Sequence, residues 1–154
     1  MIIVYICIYI YRKGLYVIAG FAGEETNDIF YFDLEAKTWT QKESSTLRPR
    51  SVCASAALTV QNETYITIFG GEVDPSALGH AGAGGFANDT IAYNVSSGTL
   101  VTADLAEGSE APPARGWACA SKWTENSFIV VGGLAGSDEE PVRLGDVWKC
   151  EIIG

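Results

Sequence analysis

Apolar and polar positions alternate along most of the chain in short runs bounded by Gly, Pro, Asn and Asp, and the 3.6-residue period of an amphipathic helix is absent. Three of these runs are near copies of one another: YVIAG at 16–20, ITIFGG at 66–71 and IVVGG at 129–133. Each is followed by a second apolar run led by aspartate: NDIFYF at 27–32, NDTIAY at 88–93 and GDVWKC at 145–150. Asp28 to Phe32, Asp89 to Tyr93 and Asp146 to Cys150 are each four residues apart, and Trp39 and Leu100 stand seven residues beyond Phe32 and Tyr93. Gly20, Gly71 and Gly133 are separated by 51 and 62 residues, and the difference falls between glycine and aspartate, a stretch of 8, 18 and 13 residues in the three copies. Fixed strands with a loop of variable length describe a surface loop on a repeated scaffold.

Two of the copies carry an upstream mark. RPRS at 48–51 precedes the small-residue run 52–60, and PPARG at 112–116 precedes 117–123. One unit is therefore four antiparallel strands: one started by arginine, one ended by the double glycine, one started by aspartate, and one around Trp39 or Leu100. A unit of about 50 residues with four strands and a double glycine resembles the kelch repeat. The resemblance implies an all-β chain, a partial kelch-type β-propeller of about three four-stranded blades, with repeats at 14–47, 48–111 and 112–154 after an atypical apolar segment at 1–13. That segment, MIIVYICIYIY up to Tyr11, stands where the first unit's arginine-started strand belongs. It is too short for a membrane-spanning helix, lacks the basic start and small-residue cleavage site of a secretion signal, and favours a strand through its Ile, Val and Tyr content. The third unit stops before its last strand. Propellers close with about four to eight blades, so three leave open edges, and the expectation is a fragment, a truncated gene product or part of an oligomer that self-associates through those edges.

Composition agrees with short strands and tight turns: 17 glycines among 154 residues, with 47 % apolar and only 19 % charged. The formal net charge of −9 disfavours nucleic-acid backbones and anionic membranes as partners. Cys7, Cys53, Cys119 and Cys150 form no C-x-x-C pair, so they read as small, mostly buried residues in a reduced, cytoplasmic protein rather than a zinc site. The N-x-[ST] matches at Asn62, Asn88 and Asn94 lack a signal peptide to make them glycosylation sites.

Strand alternation places the loop after the double glycine and the connection into the next blade on one face. The 72–88 loop is the longest of these and carries His80, the only histidine, with Glu72 and Asp74 close by. Two carboxylates and an imidazole suit a divalent transition metal; a turn at Asp74-Pro75 with the carboxylates accepting backbone hydrogen bonds is the structural alternative. Arg50 and Arg115, at the same rim, suit bidentate binding of a sulfate, phosphate or carboxylate ligand. Their repeated position equally suits a scaffold role, bonding backbone carbonyls between blades. Gly82–Gly85 is not a phosphate loop, because no Lys-Ser/Thr pair follows it, and one histidine without G-x-S-x-G makes no hydrolytic triad. Copper chemistry of the galactose oxidase type, found on a related propeller, is likewise unsupported, and the chain has no room for an F-box or BTB segment.

The loop sequence FGGEVDPSALGHAGAG at 69–84, with GFAGEETNDI at 20–29 and ARGW at 114–117, resembles the plant nitrile-specifier and epithiospecifier group and its fungal kelch relatives. That resemblance implies ferrous iron held by a Glu-x-x-x-Asp-x-x-x-His pattern, used to steer glucosinolate aglycones to nitriles. Glu72 and His80 fit its ends, the middle position is Ser76 instead of Asp, and Asp74 lies two residues early; Arg50 or Arg115 would hold the sulfate. Two functions follow as expectations. The first is a kelch binding module that docks a protein or small molecule on the loop face around 72–88. The second is an iron-dependent specifier-like protein.

Overall fold

The computed structural model describes residues 7–11, 13–43, 46–74, 77 and 84–153. Every regular element among them is a strand. Four strands make the first sheet: β1 (Cys7–Tyr11), β2 (Gly14–Phe21), β3 (Glu25–Asp33) and β4 (Thr38–Lys42), paired antiparallel in chain order. The second sheet has β5 (Ala54–Val60), β6 (Glu63–Phe69), β9 (Thr90–Asn94) and β10 (Leu100–Ala103). Between β6 and β9 a small ribbon, β7 (Glu72–Asp74) with β8 (Gly85–Phe86), projects from the sheet end. The third sheet has three strands, β11 (Cys119–Lys122), β12 (Ser127–Gly136) and β13 (Pro141–Glu151). These are three propeller blades in sequence, the last without its fourth strand.

Part of the N-terminal apolar run thus fills the place of the missing arginine-started strand. Cys7 pairs with Ile18 as Ala54 pairs with Phe69 and Cys119 with Val131, so β1, β5 and β11 are equivalent inner strands. The sequence pattern ends the second strand at its double glycine, but β2 and β12 run on past it to Phe21 and Gly136. The pair is a bulge rather than a stop: the register shifts between Ile18 and Gly20 and between Val131 and Gly133. Its first residue is left-handed in all three blades, with φ of 57° at Ala19, 64° at Gly70 and 61° at Gly132. The second has φ of 131°, 102° and 112° at Gly20, Gly71 and Gly133, a region that only glycine enters cheaply. Space demands glycine as well, since a Cβ on Gly71 would lie 2.6 Å from both the Cys53 sulfur and the Ser51 carbonyl.

Two apolar layers hold the blades together, and the two-residue strand period explains both. Between the first and second blades, Tyr16, Ile18 and Ile29 pack against Ile66, Ile68, Ile91 and Tyr93. Between the second and third, Ala54, Ala56, Leu58 and Phe69 pack against Phe128 and Val130, with Trp148 and Cys150 at the margin. Within the second blade Ile68 faces backward and Phe69 forward, so successive residues serve opposite interfaces. Burial drives the Tyr93 phenol and the Cys150 thiol above their ordinary pKa values.

Candidate functional site

Each inter-blade crossing is made by the backbone of an arginine. Arg50 donates its N–H to the Thr26 carbonyl (3.0 Å) and accepts from Gly20 (2.9 Å); Arg115 donates to Ala87 (3.1 Å) and accepts from Gly71 (2.8 Å). Their side chains turn inward and are 1 % exposed. Arg50 sends Nη1 to Asp89 (2.7 Å) and to the Gly70 carbonyl (3.0 Å), and Nη2 to the other Asp89 oxygen (3.0 Å). Arg115 repeats the figure on Asp146 (2.5 and 2.8 Å) and the Gly132 carbonyl (2.9 Å). Nε closes each fork, onto Arg48 or Pro113 carbonyl oxygen. The carboxylate partners belong to the third strands of the second and third blades: Asp89 immediately precedes β9 and Asp146 lies within β13. Hydrogen bonds from Arg115 and from the Trp148 indole hold the Asp146 carboxyl well below the usual carboxylate range. Both guanidinium forks are therefore engaged inside their own blades.

The remaining predicted residues sit around the β7–β8 ribbon. Glu72 is buried; its backbone pairs with Ser51 in both directions (2.9 Å each) and its carboxylate accepts the Gly84 N–H at 3.0 Å. Ser51 in turn donates its hydroxyl to Glu25 at 3.1 Å. Asp74 is exposed and paired with Arg48 at 2.8 Å. His80 and Ser76 lie outside the described residues, and among those described no group of three or more His, Cys, Asp or Glu is gathered as a metal site. The structure thus links Ser51 to Glu72 through the backbone and to Glu25 through its hydroxyl, and pairs Asp74 with Arg48.

Sequence reasoning did not single out the aromatic centre of this face. Trp117, 36 % exposed, lies edge-on to Phe86 with ring centroids 6.0 Å apart. Phe86 is carried by β8, so the long loop delivers an aromatic side chain to the start of the third blade's inner strand. Trp117 has φ of 52° and Val52, its equivalent in the second blade, 49°; the Trp117 N–H bonds the Val52 carbonyl at 2.9 Å. The left-handed turn after each arginine redirects the chain down the inner strand and leaves the following side chain at the loop face. The signal was present in the sequence as the matched positions two residues after Arg50 and Arg115.

A family model for the KLHDC2/KLHL20/DRC7 Kelch-repeats domain matches residues 4–153. Among solved structures the chain is similar to that described as "Structure of YjhT", at 14 % identity and a TM-score of 0.61, over 94 % of this chain and 40 % of that one. The chain therefore spans well under half of that protein's length, and the likeness bears on fold alone. Among the described residues no helix is long and apolar enough to cross a membrane. Kelch-repeat domains serve in general as protein-interaction modules, and with its three blades of antiparallel strands and a family match along almost its whole length, this chain belongs to the kelch-repeat family.

Proposed function

We propose that the chain is a protein-binding module whose partner docks on the loop face around residues 72–88. The observation that carries this reading is the Trp117–Phe86 pair, a half-exposed aromatic centre with the Arg48–Asp74 ion pair as its polar rim. Binding energy concentrates on such aromatic and arginine anchors surrounded by polar positions. The arginines of the crossings support the reading from the other side: with both forks committed to aspartate, the rigid scaffold presents the loops and the loops do the recognising. A small anionic ligand at Arg50 or Arg115 would have to displace Asp89 or Asp146.

The test is site-specific photo-crosslinking in cells of origin. A photoreactive residue at Ala77, beside the ribbon, is expected to give a discrete protein adduct that Trp117→Ala abolishes. One at Asn62, in the exposed turn at the opposite end of the second blade, is expected to give none. Equal adducts from both positions, or an adduct indifferent to Trp117, would refute the loop face as the docking surface.

A further inference from the structure

The negative charge of the chain is gathered on the loop face. The connections between strands at that end, 22–25, 43–48, 72–88, 104–114 and 136–141, hold 11 of the 19 acidic side chains and one of the 10 basic ones, Arg48. These segments carry a formal −10, and the rest of the chain, with eight acids and nine bases, carries +1. All of the eleven except Glu72 reach solvent. At the opposite end the acids are neutralised in place: Glu35 pairs with Lys13, Glu125 with Lys122 and Glu151 with Lys149. On the loop face Arg48 is paired with Asp74, while Glu24, Glu25, Glu139 and Glu140 have no cation partner among the described residues. The aromatic centre lies between these two glutamate pairs. On one side Glu25 accepts the Ser51 hydroxyl at 3.1 Å, and Ser51 precedes Val52, whose carbonyl takes the Trp117 N–H. On the other, Gly116 and Leu134 exchange backbone hydrogen bonds at 2.9 and 2.8 Å, and β12 then ends in the turn that carries Glu139 and Glu140.

From this we infer that the docking partner presents a basic, arginine-bearing segment, seated on the Trp117–Phe86 pair and met on either side by the loop glutamates. The inference rests on the loop-face reading and adds to it the chemistry of the occupant. Charge complementarity selects that occupant. An acidic segment would face repulsion from every connection, and a neutral one would desolvate the glutamates without pairing them. Arginine suits both parts of the surface, because its planar fork stacks on an indole and also binds a carboxylate through two hydrogen bonds. The acids stand in five separate connections around one aromatic pair, so their summed field draws a cationic segment in and the rings hold it. That field is screened within about 8 Å at physiological salt, so the basic side chains must reach the surface itself.

Selection of random displayed peptides on the immobilised full chain is expected to enrich sequences of net positive charge that contain arginine. The commonest of these, made synthetically and followed by fluorescence anisotropy, should bind roughly 10-fold or more weakly to Trp117→Ala. The triple reversal Glu24→Lys, Glu139→Lys and Glu140→Lys should weaken it roughly 30-fold or more, since attraction becomes repulsion at both flanks. A matched reversal at the opposite end, Glu35→Lys, Glu63→Lys and Glu125→Lys, changes the net charge equally and should leave binding within about twofold at physiological salt. All six of these side chains are exposed, so both reversed chains should fold, and circular dichroism checks that they do. Enriched peptides that are neutral or acidic and still need Trp117 would overturn the basic partner and leave the loop face standing. Peptides indifferent to Trp117, whatever their charge, would overturn both. Equal losses from the two reversals, or no enrichment over a blank surface, would also refute the proposal.

Discussion

The sharpest energetic consequence of the scaffold lies in the unequal burial of the Arg50–Asp89 pair. The guanidinium is 1 % exposed and the carboxylate 36 %, so deleting one partner is not equivalent to deleting the other. Arg50→Met removes the charge that water cannot reach and puts an apolar chain of similar length in its place. Asp89 keeps its solvent side and can rehydrate, while the Gly70 carbonyl loses a donor. Losing charge-assisted hydrogen bonds while a methionine refills the space should cost about 2 kcal/mol. Asp89→Leu does the reverse. It strands a buried cation whose Nη2 loses its acceptor, leaving only the Gly70 and Arg48 carbonyls for the rest of the fork. A buried charge without its partner costs 3–5 kcal/mol, and partial solvent access on the aspartate side places this case near ~3 kcal/mol. With both substitutions the stranded charge is gone, so the double variant should cost no more than Asp89→Leu alone. Equilibrium urea unfolding followed by tryptophan fluorescence measures all three, with an unchanged slope as the check that only stability has moved. Equal losses for the two single variants, or a double variant equal to their sum, would refute the argument that burial of the cation governs the pair.

Two other outcomes follow from the same geometry. Gly71→Ala, at φ 102° with its new Cβ 2.6 Å from Ser51 carbonyl and Cys53 sulfur, should cost at least 2 kcal/mol more than Gly23→Ala, at φ 101° in open space, because both carry the roughly 1–3 kcal/mol conformational cost and only the first adds a clash; thermal unfolding of the two variants checks it. Asp146 has its folded pKa depressed by Arg115 and Trp148, so its contribution to stability is present above the unfolded carboxylate pKa and is lost as pH falls through the folded one. Asp146→Asn should therefore flatten the acid-unfolding curve below about pH 4, with Asp33, Glu125 and Glu151, also lowered, supplying what slope remains.

What was legible in the sequence is what strand period and fixed spacing encode. The double glycine (Ala19-Gly20 in the first copy) and the aspartate four residues before each aromatic or cysteine locate the second and third strands of every blade, because both are local constraints repeated in register. The purpose of those aspartates was not legible. Arg50 and Asp89 are 39 residues apart and Arg115 and Asp146 31, separations set by a loop of variable length, so no fixed spacing links them. The arginines looked available to a ligand because their partners are visible only once the blade is folded. The double glycine ends β6 in the second blade as its pattern suggests, whereas in the first and third blades only pairing beyond the bulge, as between Leu134 and Arg143, reveals a strand that bends and continues. The Trp117–Phe86 contact joins different blades, through a loop whose ribbon has no periodic signature.

The first blade supplies a test of whether the aspartate or the arginine fork is what each blade needs. Asp28 occupies the position of Asp89 and Asp146, and Cys7 occupies that of Ala54 and Cys119. Counting back four residues from Ala54 and Cys119 gives Arg50 and Arg115, whereas counting back from Cys7 gives Ile3. The first blade therefore has the aspartate without its arginine. Among the described residues Asp28 instead accepts a hydrogen bond from Gln41 on the neighbouring strand, at 3.0 Å and exposed to solvent. Among the described residues no buried cation is paired with it, so Asp28→Asn should shift stability by no more than ~1 kcal/mol, the range of one exposed hydrogen bond, while Asp89→Asn should approach the loss predicted for Asp89→Leu. Urea unfolding of the two isosteric variants separates the cases. If Asp28→Asn proved as damaging as Asp89→Asn, the aspartate would be acting through its own strand start rather than through the arginine, and the account of the crossings as arginine-centred latches would fail.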